Sequence, residues 1–281
     1  MEDYRIREED VLRFAQDLKE SEYAKGSIEK YVRDIRALKR WLGDGSVGKE
    51  ALIQWKEHLL SKNCQSRTVN GMLSSLNRFF RSMGWEDLQI KHLKVQRTLF
   101  RSTRRELTKS EYLHLIETAA GQGKHRLALL METICATGIR VSELRFFTVE
   151  AIGAGRVEVT NKGKTRTVFL PGKLRKVLLK YAGSRRVSAG PVFVTRSGQP
   201  LDRSNIWHGM KALCKEAGVA ESKVFPHNLR HLFARTFYGL EKDIVRLADV
   251  LGHASVNTTR IYTMESGATH RRMLEKMRLV I

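Results

Sequence analysis

Residues 91–105 read KHLKVQRTLFRSTRR, with six basic residues and no acidic one, and they separate a pair of stretches of different character. The run reads as a linker, so folding has to be organised on either side of it. Before it, residues 1–90 hold 16 Lys+Arg against 15 Asp+Glu, a net of +1. From residue 91 onward there are 35 against 15, a net of +20. A short charge run is usually only a solvated surface. An excess spread over so much of the chain says that the second stretch faces a polyanion, with nucleic acid the expected partner. Charge alone does not separate DNA from RNA or from an anionic membrane.

Apolar residues make up 42% of the 281, enough for real cores in two compact domains or one large one. No apolar run has membrane-spanning length, and Met1 to Arg7 is acidic and polar, so neither a membrane partner nor a leader is expected. Cys64, Cys135 and Cys214 are scattered and form no C-x-x-C pair, which argues against disulfides and zinc and suits a reducing cytoplasm.

In the first ninety residues, Val11, Phe14, Ala15 and Leu18 repeat at helical spacing. So do Ile28, Tyr31, Val32, Ile35, Leu38 and Trp41, before a break between Gly43 and Gly48. Further helices fit residues 50–60 and 66–83, giving a small four-helix bundle. After the linker, Thr108 and Glu111 fit the N-cap and N3 positions of a helix over 109–120. The rest is mixed: a helix over 124–137, a β-hairpin over 157–170 and a short third strand over 191–194. Helices over 201–217, 227–240, 241–251 and 256–264 follow, and then a terminal stripe of Met273, Leu274, Met277, Val280 and Ile281.

The chemistry lies on these helices. Ala136-Thr-Gly-Ile-Arg140-Val-Ser-Glu143 ends one helix at Gly138 and starts another, so Arg140 sits at a junction where backbone N–H groups also point at an anion. Glu143, one turn on, is placed to hold that guanidinium, although an isolated R-x-x-E is more often a surface ion pair. Pro226-His227-Asn-Leu-Arg230-His231 opens a helix with His227 and Arg230 one turn apart, within reach of the same phosphate. His227 and His231 have the i, i+4 spacing of a zinc pair, but Asn228 stands where H-E-x-x-H needs glutamate, so no metal is expected. Leu251-Gly252-His253 looks like a glycine C-cap with His253 just past it, and Tyr262 lies on the next short helix. Taken alone, Tyr262 would be a half-buried core tyrosine. Two guanidiniums, two imidazoles and a phenol in this order are instead what a protein needs to attack a phosphodiester without a metal. Lys162 or Lys164, at the hairpin turn, could complete the set as proton donor. Gly163-Lys164-Thr165 mimics the end of a P-loop, but Glu158 occupies the position of the required glycine, which excludes that nucleotide site.

With these residues in view, the chain resembles the tyrosine recombinases of the phage-integrase family, most of all the short Xer-type members. ATGIRVSEL, HNLRHLFA and LGHASVNTTRIYT match the family's boxes in order. SIEKYVRDIRALKRWL and SRTVNGMLSSLNRFF resemble its N-terminal helical DNA-binding domain. The resemblance implies a mainly α fold with a small β-sheet: a SAM-like helical bundle over 1–90, the basic linker over 91–105 and an α+β catalytic domain over 106–281, closing on DNA as a C-shaped clamp. Linker residues Lys91, Lys94, Arg97, Arg101, Arg104 and Arg105 would contact DNA. Tyr262 would be the nucleophile that forms a 3′-phosphotyrosyl link. Arg140 and Arg230 would stabilise the transition state, His227 would relay the tyrosine proton and His253 would bond a non-bridging oxygen. Lys162 takes the place of the family's catalytic lysine, with Lys164 second because the turn is one residue short, and Glu143 supports Arg140. No cofactor is implied, neither ATP nor Mg²⁺.

The implied partners are a double-stranded recombination site and a homotetramer in the synaptic complex, with a second recombinase or a DNA-bending accessory protein as further candidates. The implied setting is the cytoplasmic nucleoid. Two other readings stay open. A type IB topoisomerase would relax supercoiled plasmid lacking any recombination site, and a DNA-binding accessory protein with a silent catalytic domain would form no covalent adduct. The terminal stripe would dock on a neighbouring protomer, or else pack on its own domain. Deleting the residues after Gly267 is expected to weaken assembly in a native gel more than phosphodiester cleavage; equal loss of both would count against docking.

Overall fold

The computed structural model describes residues 4–95, 105–161, 163–195, 197–263 and 267–277. Lys162, Arg97, Arg101 and Arg104 lie outside them. The chain divides into two units, Met1–Arg97 and Thr98–Ile281.

In the first unit the amphipathic stripes become α1 (Glu8–Glu20), α2 (Lys25–Leu42), α3 (Lys49–Ser61) and α4 (Ser66–Ser82). Their apolar faces share one core, in which Phe14 meets Phe79 edge-on at 5.3 Å and Trp55 is fully enclosed. Asn70 and Asn77 lie two turns apart on one face of α4. Asn77 accepts from the Ile90 N–H (2.8 Å) and donates to its carbonyl (2.9 Å), and Asn70 pairs in the same way with Leu93 (2.8 and 2.9 Å). The chain at 90–93 belongs to no helix or strand, so these two amides satisfy its main-chain groups. The first residues of the basic stretch are therefore bound to the helical unit.

The second unit begins with α5 (Lys109–Gly121), capped by Thr108 and Glu111 in a reciprocal box, and α6 (His125–Thr137). A 3₁₀ turn (Val141–Phe146) and short α7 (Val149–Gly153) follow. The hairpin β1 (Arg156–Asn161) and β2 (Lys164–Phe169) pairs antiparallel from Arg156↔Phe169 to Asn161↔Lys164, turning at Gly163 (φ +74°). Beyond it come α8 (Gly172–Ser184), α9 (Arg203–Lys211), α10 (Pro226–Glu241), α11 (Ile244–Leu251), α12 (Val256–Thr263) and α13 (Gly267–Met277). Among the described residues no helix is long and apolar enough to cross a membrane.

Four elements differ from the sequence reading. The third strand over 191–194 is not one. Among the described residues it makes only single bridges, Thr148↔Pro191 and Val194↔Pro200, because prolines at those points remove ladder donors. α8 went unread: its buried stripe is only Leu174, Leu178 and Ala182 in a basic segment. α9 stops at Lys211 instead of 217, where hydrogen bonds shorten to Leu213 N–Met210 O and Cys214 N–Lys211 O. α11 starts at Ile244 instead of 241, since Lys242 takes a left-handed φ of +56° and the Asp243 side chain caps Val245 and Arg246.

Asn77→Ala would leave the buried Ile90 N–H and C=O without partners. Urea denaturation is expected to show a loss of about 2–4 kcal/mol, together with faster hydrogen exchange at the Ile90 amide. An unchanged midpoint and unchanged exchange would show that the clasp contributes nothing.

Candidate active site

α6 ends at Gly138 in a left-handed turn (φ +67°), and a Cβ there would lie 2.3 Å from the Phe233 ring. α11 ends the same way at Gly252 (φ +65°), where a Cβ would lie 2.7 Å from Arg166 Cδ. Only glycine fits either position. These two helix ends meet α10 at Arg230, which is 1% exposed. Arg230 Nη1 donates to Gly138 O (2.6 Å), and Nη2 donates to Leu251 O (2.7 Å) and lies 3.0 Å from His253 Nε2. Its Nε, also buried, has no acceptor in hydrogen-bond geometry among the described residues.

Arg140 caps the 3₁₀ turn that follows α6. Its backbone N–H and its Nη1 both donate to Glu143, at 2.8 and 3.0 Å. The buried Glu143 also takes a two-pronged grip from Arg166 on β2, at 2.9 and 2.8 Å. Arg166 in turn reaches Val250 O through Nε (3.3 Å). One carboxylate thus joins the turn after α6 to the hairpin, and Arg166 joins the hairpin to the end of α11.

Tyr262, 4% exposed, packs on Ala234, Leu247 and Leu251. Its ring stacks on His253 (6.0 Å, 13°) and meets His231 edge-on (4.7 Å), while His231 in turn meets His227 (4.6 Å). His253 Nδ1 lies 2.8 Å from Thr259 Oγ1.

The electrostatics report the same convergence. His253 is pushed down to about 4, first by burial and then by Arg230, Arg140, Arg166 and His227. His227 keeps an exposed face, yet burial of the rest of its ring, then Arg230, Arg140 and Arg203, lower its pKa as well. Arg230 falls to about 10 through burial and the charge of Arg140; the Tyr262 phenol counters through charge and a loose hydrogen-bonding contact. Burial pushes the Glu143 carboxyl up, but hydrogen bonds from Arg166 and the Arg140 backbone outweigh it and hold the group below the ordinary carboxylate range. Both imidazoles are therefore neutral at neutral pH.

Known proteins match this arrangement. The model of the phage integrase family matches residues 105–268, and that of the phage integrase N-terminal SAM-like domain matches residues 11–87. Tyrosine recombinase XerD of Xanthomonas axonopodis pv. citri is 32% identical over 271 residues, covering 86% of this chain and 87% of that protein. The chain belongs to the phage integrase family of tyrosine recombinases. It is a site-specific DNA recombinase. Tyrosine recombinase XerA of Pyrococcus furiosus is 28% identical over 291 residues, covering 100% of this chain and 98% of that protein. In fold, the chain is similar to a lambda integrase dimer bound to a COC′ core site (TM-score 0.74, 18% identity, 93% of this chain and 96% of that one). It is also similar to XerA recombinase (TM-score 0.53, 23% identity, 98% and 99%).

The recombinase fold brings Arg140, Glu143, His227, Arg230, His253 and Tyr262 together. Lys162 lies outside the described residues, and Lys164 is exposed at the start of β2. Lys91, Lys94 and Arg105 are exposed, remote in sequence from the motif residues. Sequence reasoning missed Arg166 and Thr259. Arg166 is two residues from the buried Val168 on β2, so it shares the inward face of the strand, where a cation needs a buried acid. Thr259 was visible only as one letter of a longer box.

Glu143→Gln would break both ion pairs and is expected to cost about 3–5 kcal/mol near neutral pH by thermal or urea denaturation. The wild-type carboxyl is depressed, so its contribution is complete above the ordinary carboxylate pKa and is lost as pH falls through the folded value. The two stability curves should converge in acid. Parallel curves would show that Glu143 is not the group whose ionisation matters.

Proposed function

We propose that this recombinase cleaves DNA with Tyr262, delivered to the scissile phosphate by its own subunit. The observation that carries this reading is the placement of the Tyr262 ring on His253, whose Nε2 lies 3.0 Å from the buried guanidinium of Arg230, with the partly exposed guanidinium of Arg140 in the same cluster of charge. The donors that Arg140 keeps in solvent suit a phosphate oxygen.

The Tyr262 oxygen attacks phosphorus and forms a 3′-phosphotyrosyl link, and the phosphorus–5′-oxygen bond breaks. Arg140 and Arg230 stabilise the charge that grows on the non-bridging oxygens. His227, neutral at neutral pH, accepts the phenolic proton. Lys162, assigned by its place in the hairpin sequence, protonates the leaving 5′-oxygen. The energy of the phosphodiester is kept in the phosphotyrosine, so rejoining by a partner strand's 5′-hydroxyl consumes no nucleotide.

The partner is a double-stranded recombination site. A lambda integrase tetramer is known on a Holliday junction, and a tetramer is the assembly proposed for this chain. On α13, Leu274 and Met277 are each 55% exposed, which supports docking on a neighbouring protomer rather than on their own domain. Lys91, Lys94 and Arg105, with Arg97, Arg101 and Arg104, supply phosphate contacts along the linker. The site of action is the cytoplasmic nucleoid, with accessory proteins or a second recombinase joining the assembly.

A nicked suicide substrate tests the reading. Wild-type protein should form an SDS-stable adduct, Tyr262→Phe none, and Arg230→Ala should slow its formation by roughly 10²–10³-fold. His253→Ala should keep a slow reaction. An adduct that persists in Tyr262→Phe, or none from the wild type, defeats the proposal.

A further inference from the structure

We propose that Thr259 is a positioning residue of this site: Arg230 makes Nε2 of His253 the acceptor, and the Thr259 hydroxyl takes the hydrogen this leaves on Nδ1 and so locks the plane and tilt of the ring. The catalytic consequence rests on the recombination chemistry above; the lock itself belongs to the free protein.

A guanidinium has five N–H donors and no lone pair to offer. Arg230 Nη2 has two hydrogens, one taken by Leu251 O at 2.7 Å, and the other faces His253 Nε2 at 3.0 Å. Nε2 must therefore accept and carries no hydrogen. The hydrogen that an imidazole always retains is then on Nδ1, which lies 2.8 Å from Thr259 Oγ1. The threonine oxygen is the acceptor. Thr259 is fully buried, so solvent does not stand in for it.

The register of α12 makes this possible. Thr259 and Tyr262 are three residues apart and share a face. One helix face thus supplies the aromatic ring stacked on His253 and the oxygen that holds its edge. His253 itself follows Gly252, whose left-handed turn brings the imidazole back over the end of α11. Its orientation is set from three sides.

In this state His253 has no hydrogen to give a phosphate. It becomes a donor only by taking a proton from solvent on Nε2, which also releases one hydrogen of Arg230 Nη2 toward the phosphate. The charged and titratable groups around it are Arg230 and His227 from α10, Arg140 and Glu143 from the turn after α6, Arg166 from β2 and Tyr262 from α12. Cations predominate, so the arriving phosphate's negative charge is what makes that proton favourable. Thr259 keeps Nδ1–H bonded in both states.

Imidazole nitrogen NMR on the ¹⁵N-labelled full chain, with His253 assigned by its loss in His253→Gln, reads the tautomer directly. Wild type, Thr259→Ser and Thr259→Val should all show a protonated Nδ1 and an unprotonated Nε2, but in Thr259→Val, similar in shape without the acceptor, the Nδ1 resonance should move away from its hydrogen-bonded position and its hydrogen should exchange faster. On the nicked substrate, Thr259→Val should form adduct roughly 10–100-fold more slowly, with DNA binding retained in a gel shift and Thr259→Ser near the wild-type rate. A wild-type spectrum with the hydrogen on Nε2 overturns the proposal without any variant, as does a Ser variant as impaired as the Val variant. If the wild type shows the Nδ1–H form but makes no adduct, the lock stands and the recombination reading of Tyr262 falls.

Discussion

Everything at this site is organised around one buried positive charge, that of Arg230. Taking a guanidinium out of water is costly unless its donors are met, and the protein meets them with the ends of two helices. The last carbonyls of a helix have no intrahelical donor and carry the negative end of its dipole. Gly138 O follows α6 and Leu251 O closes α11, so two negative helix ends converge on one cation. This fixes where α6, α10 and α11 must meet. It also explains why both helices end in a left-handed glycine: each chain has to turn away within one residue while a side chain, Phe233 or Arg166, fills the space where a Cβ would be. The glycines, the carbonyls and the arginine form one arrangement, and removing any of them loosens the other two.

Arg140 is held by a different device suited to its exposure. It keeps about a third of its side chain in solvent, and a carboxylate is shared between it and Arg166. Two cations on one anion leave a surplus of positive charge in the cluster. Arg230 looks inward to backbone carbonyls and Arg140 sideways to Glu143, and Arg140 keeps part of its fork in solvent. The site is anchored yet still has donors to offer.

How far the sequence reveals this follows from the range of each interaction. α1 to α6 and α10 could be read because their apolar stripes are wide and their ends carry local punctuation, as with Thr108 and Glu111 or Gly138. α8 could not, because three buried residues among many cations give too thin a stripe. Val192 and Phe193 are as buried as strand residues, and their β-character misleads because it reports burial rather than a pairing partner. The motif residues were legible as a set because their chemistry is rare in combination. The partners that hold them were not: Arg166 meets Glu143 across 23 positions, and Arg230 meets Gly138 across 92. Backbone carbonyls in particular leave no mark in a sequence, since every residue has one.

The surplus of cations is itself a functional property. Burial first, and then the nearby arginines, keep His253 from holding a proton near neutral pH, and burial with the charge of Arg140 makes Arg230 hold its own less tightly than a free arginine does. Burial is the larger cause of both shifts, and repulsion among the cations adds to it. A phosphodiester brings one negative charge and relieves some of that repulsion. The five-coordinate phosphorus that forms when a phenol attacks carries more negative charge, on oxygens nearer the same donors, and relieves more. An interaction that grows between the bound ester and the transition state accelerates the reaction, whereas one equal in both only tightens binding. Two guanidiniums on the Glu143 carboxylate and a third, Arg230, beside them are therefore suited to charge that grows during a reaction, and the Tyr262 ring is stacked on the imidazole in that same field.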